Sequence, residues 1–187
     1  LSDDDIWKIL AEELTLPEVP ARVFFYGSGV TESMKPRMEH LLFQQFPQAE
    51  VHAESDLLGA ARALLGRHSG IACILGTGAN SCLYDGEHIL LNTTPLGYIL
   101  GDEGSGAVLG KMFLNGIFKG ALPESLKQEY LSWSGLDYPS IINKVYRQPL
   151  ANRFLASLTP FISRHIDEPS LCDMVVDEFR VFFRYNL

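Results

Sequence analysis

The chain has 187 residues, 47% of them hydrophobic, and a formal net charge of −8. That suits one or two soluble globular domains and argues against a general binder of nucleic acid or membrane surfaces, since no Lys/Arg cluster stands out. Cys73, Cys82 and Cys172 are an odd, scattered set without C-x-x-C spacing, so neither a disulfide framework nor a zinc site is indicated. No basic-then-apolar leader and no apolar run of membrane-spanning length occurs, and a cytoplasmic protein is expected.

Ser2 followed by Asp3, Asp4 and Asp5 reads as a capped helix start, with Ile6, Ile9, Leu10 and Leu14 as its apolar stripe and Pro17 and Pro20 closing it. Residues 22–26 form a strand candidate that ends in Gly27-Ser28-Gly29, and small-residue turns at strand C-termini are where open α/β sheets hold ligands. A helix over residues 33–45 follows, with Pro36 in its first turn. Residues 51–53 are a brief strand, and Ser55 caps a helix that runs to Leu65 and stops at Gly66. Asp56, the first helical residue, either complements the helix dipole or accepts a proton from a substrate hydroxyl.

Residues 71–75 are apolar throughout, as in a strand buried on both faces or a piece of buried helix. Gly76-Thr77-Gly78 decides for the strand, on the expectation that the two glycines take backbone angles closed to other residues and free their amides toward an anion. The bland alternative is a plain hairpin turn, because the spacing is neither that of a P-loop nor that of a dinucleotide fingerprint. Residues 81–84 and 88–92 flank Asp85-Gly86, a strong hairpin signal. Residues 95–105 form a loop broken by Gly97, Gly101 and Gly104, with Asp102-Glu103 at its centre and a helix from about Ser105 to Phe118 behind it. Those acids either open the helix as solvated charges or accept hydrogen bonds from the hydroxyls of a ligand. Beyond Pro123 the pattern is helical over residues 124–133, 140–146, 149–165 and 169–185. His68 and His165 are isolated and are assigned no chemistry.

Taken together, S-D-L-L-G-A-A-R, G-T-G-A-N-S-C-L-Y-D-G and L-G-Y-I-L-G-D-E-G-S-G-A-V-L-G-K, which span Ser55 to Lys111, resemble the N-acetylglucosamine kinase-like branch of the BadF/BadG ATPase family. The family belongs to the superfamily of sugar kinases, hexokinase, Hsp70 and actin. The resemblance implies that Asp56 is the general base for the sugar hydroxyl and that Gly76, Thr77, Gly78, Ala79 and Asn80 form a phosphate-binding loop. It further implies that Gly97, Asp102 and Glu103 contact the sugar and that Gly27, Ser28 and Gly29 lie beside it. Leu96 stands where animal enzymes of this kind carry tryptophan, which bears on sugar preference.

The fold implied is α/β, two-lobed and ribonuclease-H-like, of the actin/hexokinase type, with mixed sheets and a helical addition to the second lobe. The expected lobes are residues 1–69 and 70–187, with Asp56 and Thr77 facing one cleft. The function implied is ATP-dependent phosphorylation of an amino sugar or related hexose, N-acetylglucosamine first, with ATP and Mg²⁺ as cofactors and no protein metal ligand assigned. The partners expected are a small sugar, with neither nucleic acid nor membrane, and a homodimer is left open. Two alternatives stand beside it: an ATPase activator of a 2-hydroxyacyl-CoA dehydratase or benzoyl-CoA reductase, and a non-catalytic sugar sensor. The family also carries an aspartate-glycine-threonine hairpin, expected before Leu1, and a glycine-rich adenosine loop, expected after Leu187. Without them the chain as written is not expected to turn over ATP.

Overall fold

The computed structural model describes residues 3–187; the expected cap at Ser2 lies outside them. The chain divides into two compact units, the first made of residues up to Ala72 with Tyr84–Ile89, the second of Cys73–Leu83 with Leu90–Leu187.

In the first unit, α1 (Asp3–Lys8) continues into a π-helical turn, Ile9–Glu13, and Arg37 ties α2 (Lys35–Gln45) back to Asp3 with a 2.6 Å hydrogen bond. The helix therefore ends before Leu14, the last residue of the expected apolar stripe, whose amide bonds Ile9 carbonyl at the wider π spacing. Strands β1 (Arg22–Gly27) and β2 (Glu50–Ser55) pair in parallel, with Arg22 opposite Glu50 and Gly27 opposite Ser55. Their C-terminal ends are level as a result. Helix α3 (Asp56–Leu65) leaves β2 without a spacer because the Ser55 hydroxyl accepts the Leu58 amide at 3.2 Å. It lies close on β1, since a methyl group on Gly59 would come within 2.8 Å of the Tyr26 ring.

Strands β3 (Gly70–Leu75), β4 (Ala79–Tyr84) and β5 (Ile89–Asn92) form a second sheet in that order. The β4–β5 turn is the one expected at Asp85-Gly86: Gly86 has φ 111°, and the Asp85 carboxylate accepts the Glu87 and His88 amides at 2.8 and 2.7 Å.

Beyond β5 the second unit is helical. The glycine-rich loop is not wholly irregular as expected, for Gly97–Leu100 winds into a single turn, α4. Helix α5 (Gly106–Lys119) is capped by Ser105 and stopped by Gly120 at φ 78°. It buries Ala107, Leu109, Phe113, Leu114 and Ile117 in a core shared with α6 (Glu124–Ser134), α7 (Tyr138–Tyr146) and the later helices. The single helix expected over residues 149–165 is two, α8 (Ala151–Ala156) and α9 (Thr159–Arg164). Pro160 has no amide to continue α8, and the Thr159 hydroxyl donates to the Ala156 carbonyl at 2.9 Å instead. Helix α10 (Pro169–Asn186) closes the core with Leu171 and Val175 and buries Phe182 further along.

Gly110 of α5 lies directly on the α8 backbone, where a methyl group would run into the Leu155 carbonyl oxygen. Because that neighbour is backbone and cannot swing aside, Gly110→Ala should cost about 1–3 kcal/mol despite alanine's better helix propensity. Urea unfolding measures it, and an unchanged or raised midpoint would contradict this packing.

Candidate functional site

The expected residues fall into two groups, one in each unit. In the first unit, the β1–β2 register sets the Gly27-Ser28-Gly29 turn beside the junction of β2 and α3. Gly29 has φ 81°, a left-handed conformation that suits glycine. Asp56 is half-buried, and its Oδ1 accepts the amide of Leu57 at 2.9 Å. The turn also borders a cavity of about 440 Å³ whose other walls include Ile6, Leu10, Phe25 and Met38. Those walls are mostly apolar, and Arg37, which also lines the cavity, is tied to Asp3.

In the second unit the loop after β3 is fixed through its carbonyls. The Gly76 carbonyl accepts the Gly106 amide at 2.8 Å and the Thr77 carbonyl accepts the Ala107 amide at 3.1 Å, so the turn rests on the first amides of α5. The Gly76 amide donates to the Gly78 carbonyl at 2.9 Å, which closes the turn. Neither Gly76 nor Gly78 has a positive φ, and this corrects the expected reason for the two glycines. The space at Gly78 is taken: a methyl group there would meet Oδ2 of Asp102 at 2.8 Å, and that side-chain end would have to shift. Asn80 already belongs to β4, where its Oδ1 accepts the Ser81 amide at 2.9 Å and the Asn92 side-chain amide at 2.7 Å.

Asp102 is held across the turn from the other side. Its backbone takes φ 58°, a left-handed conformation rare outside glycine but tolerated by aspartate. Burial pushes its carboxyl above the usual value; the Ala79 N–H donates to that carboxyl and pulls the other way, and the charge of Glu103 adds to the rise. Ser105, fully buried, caps α5 by accepting the Val108 amide at 3.2 Å. Asp102 is therefore not the cap of this helix.

Asp102, Glu103, Ala79, Asn80, Leu96 and Gly101 line a cavity of about 260 Å³, which Gly97 adjoins without lining. Gly97 instead opens α4 with φ 71° and accepts the Gly101 amide at 2.8 Å. Two wall residues, Tyr185 and Asn186, come from the far end of α10 and were not expected. The buried Ser81 hydroxyl anchors that end by donating to the Asn186 carbonyl at 2.8 Å. Glu178, also on α10, does not line the cavity; burial raises its carboxyl, while the Gly104 amide that it accepts holds it down. The sequence signal, a polar pair after Phe182 on a core helix, was too generic to single out. Among the described residues, no group of three or more His, Cys, Asp or Glu gathers to hold a metal ion, and no helix is long and apolar enough to cross a membrane.

A crystal structure of a "putative N-acetylglucosamine kinase" from Porphyromonas gingivalis matches with a TM-score of 0.96 and 44% identity, covering 100% of this chain and 68% of that one. A second "putative N-acetylglucosamine kinase", from Chromobacterium violaceum, matches with a TM-score of 0.67 and 20% identity over 98% of this chain and 68% of that one. At that identity the second likeness speaks for the fold alone. No family model and no curated protein matches the chain. The architecture is that of an α/β protein with the fold of these two. The chain belongs to the N-acetylglucosamine kinase-like family.

Two outcomes follow from the local chemistry. Ser105→Ala should lower the unfolding free energy by about 0.5–2 kcal/mol, through loss of the cap, as thermal or urea unfolding would show. Asp102 has a second signature. An acid whose carboxyl is raised in the folded state keeps its proton to higher pH there than in the unfolded chain, so its contribution to stability is present at low pH and is lost as pH rises through the raised value. Asp102→Asn should flatten this fall across the window just above 3.8, and an identical slope in the variant would show that the carboxyl is not perturbed.

Proposed function

We propose that the protein transfers the terminal phosphoryl group of ATP to a hydroxyl of an amino sugar, N-acetylglucosamine. The observation that carries this reading is the pairing, within one unit, of a turn docked by its carbonyls on α5 with two carboxylates, Asp102 and Glu103, on an adjoining cavity. Membership of the family supports it.

Phosphoryl transfer depends on positioning and charge neutralisation more than on covalent chemistry. The turn of Gly76, Thr77, Gly78, Ala79 and Asn80 is rigidly held and would take the phosphates. Asp102 and Glu103, with the backbone near Gly97, would accept hydrogen bonds from sugar hydroxyls. Asp56 would remove the proton from the attacking hydroxyl, and the Gly27-Ser28-Gly29 turn beside it would let the sugar approach the backbone. Mg²⁺ would accompany the phosphates of ATP and neutralise their charge, and no residue of this chain is assigned to it. The same reading makes the protein cytoplasmic and leaves a homodimer open.

An iron–sulfur activator is disfavoured by the cysteines. Cys73 and Cys82 lie within β3 and β4 and Cys172 within α10, none of them in a loop, and burial pushes the Cys73 thiol up, against the thiolate a cluster needs. A sugar sensor would bind N-acetylglucosamine indifferently to nucleotide, whereas a kinase should couple the two.

In the whole protein, Asp56→Asn should cut N-acetylglucosamine-dependent ADP formation by roughly 10²–10⁴-fold and leave nucleotide binding intact. Undiminished turnover would remove Asp56 from the base's role. Asp102→Ala should raise the KM for sugar by about tenfold or more with a smaller change in the KM for ATP, because the lost charged hydrogen bond is on the sugar side. Steady-state kinetics with each substrate varied in turn separates the two effects, and unchanged sugar KM would take Asp102 out of the sugar contact.

A further inference from the structure

The carboxylate assigned to the sugar is, in this structure, already engaged with the turn assigned to phosphate. Oδ2 of Asp102 occupies the space that a side chain on Gly78 would need, and the Ala79 N–H donates to the same carboxylate. This contact is built by backbone geometry on both sides. Asp102 is fixed in a left-handed conformation, with its carbonyl accepting the Ser105 amide at 3.0 Å. The turn opposite is pinned through its Gly76 and Thr77 carbonyls to Gly106 and Ala107. Both backbones are tied to the start of α5, so any change in this contact falls to the Asp102 side chain.

Resting on the kinase reading, we propose that Asp102 is shared between the two substrates: it holds the Ala79 amide while the nucleotide is absent and turns to the sugar when phosphate takes that amide. Phosphate and carboxylate are both acceptors and both anions, so they compete for one N–H and repel one another across it. A sugar hydroxyl that binds the carboxylate draws it off the turn and clears the amide for phosphate. Sugar and nucleotide then favour each other's binding, reciprocally, through a single side chain. In this account Asp102 is a positioning residue for the nucleotide as well as a ligand of the sugar.

The test is calorimetry on the whole protein with a nonhydrolysable ATP analogue, with and without N-acetylglucosamine, together with hydrogen exchange at the Ala79 amide. The wild-type protein should bind the analogue at least about 5-fold more tightly when sugar is present. Asp102→Asn, which removes the charge, should bind the analogue alone about as tightly as the sugar-loaded wild type, and added sugar should change nothing. Asp102→Ala should speed exchange at Ala79. Analogue binding by Asp102→Asn that equals or falls below that of the sugar-free wild type would overturn the proposal, as would unchanged exchange at Ala79 in Asp102→Ala. A wild-type protein that binds no analogue would sink the kinase reading and the coupling with it, while faster exchange in Asp102→Ala would still establish the contact between Asp102 and the turn.

Discussion

The second unit depends on how the first turn of α5 disposes of its amides. A helix begins with four N–H groups that have no partner within the helix. Here the Gly76 and Thr77 carbonyls take those of Gly106 and Ala107, and the buried Ser105 hydroxyl takes that of Val108. Three orphaned donors are thus satisfied by the turn after β3 and by one serine that water does not reach. Leaving such groups bare inside the protein would cost on the order of 1–3 kcal/mol each, so helix and turn form together or not at all. The turn borrows its rigidity from the core, because the same helix packs Phe113 against Tyr130 of α6 and Phe161 of α9 and buries Ile117 in the same cluster.

The small residues of the G-D-E-G-S-G-A-V-L-G segment follow from this docking. Gly106 must lie close enough to donate to Gly76, and a methyl group on it would stand 3.1 Å from the Gly76 carbonyl oxygen. One turn on, Gly110 meets the α8 backbone. Gly104 is different: it needs its φ of 72° and also faces Phe179 and Phe182 of α10. One run of sequence therefore serves a sheet turn, a helix pair and a loop at once. Its glycines are there chiefly for approach, and only some of them for backbone angle.

Local chemistry was legible in the sequence and non-local chemistry was not. The caps at Ser55 and Ser105, the stop at Gly66 and the Asp85-Gly86 turn could be read because each is decided within a few residues. The strand of residues 71–75 was legible from its apolar run and the glycines behind it, but it is not buried on both faces as that run suggested, since Ile71 and Leu75 are exposed. The break between α8 and α9 was hidden because the hydrophobic pattern runs on through Leu158 and Phe161, both buried, while Pro160 alone interrupts the amides. The reason for Gly78 could not be read, since the atom that needs the space belongs to Asp102, 24 residues later. Tyr185 and Asn186 reach the cavity only because α10 packs across the core, and nothing near them in the chain announces it.

The same amide bookkeeping bears on how phosphate would be recognised. In a P-loop the anion sits on the free amides at a helix N-terminus, and a lysine follows to reach the outer phosphates. Here the corresponding amides of α5 are already committed to Gly76 and Thr77, so the helix cannot offer them to a ligand. Its dipole still places partial positive charge behind the turn. On the proposed reading, recognition would fall to the amides of the turn itself, of which Ala79's is held by Asp102 in this structure. A turn used in this way would need neither the spacing nor the lysine of a P-loop. It would also give a place to an acid, ordinarily out of place beside an anion site, which would satisfy an amide until the anion arrived.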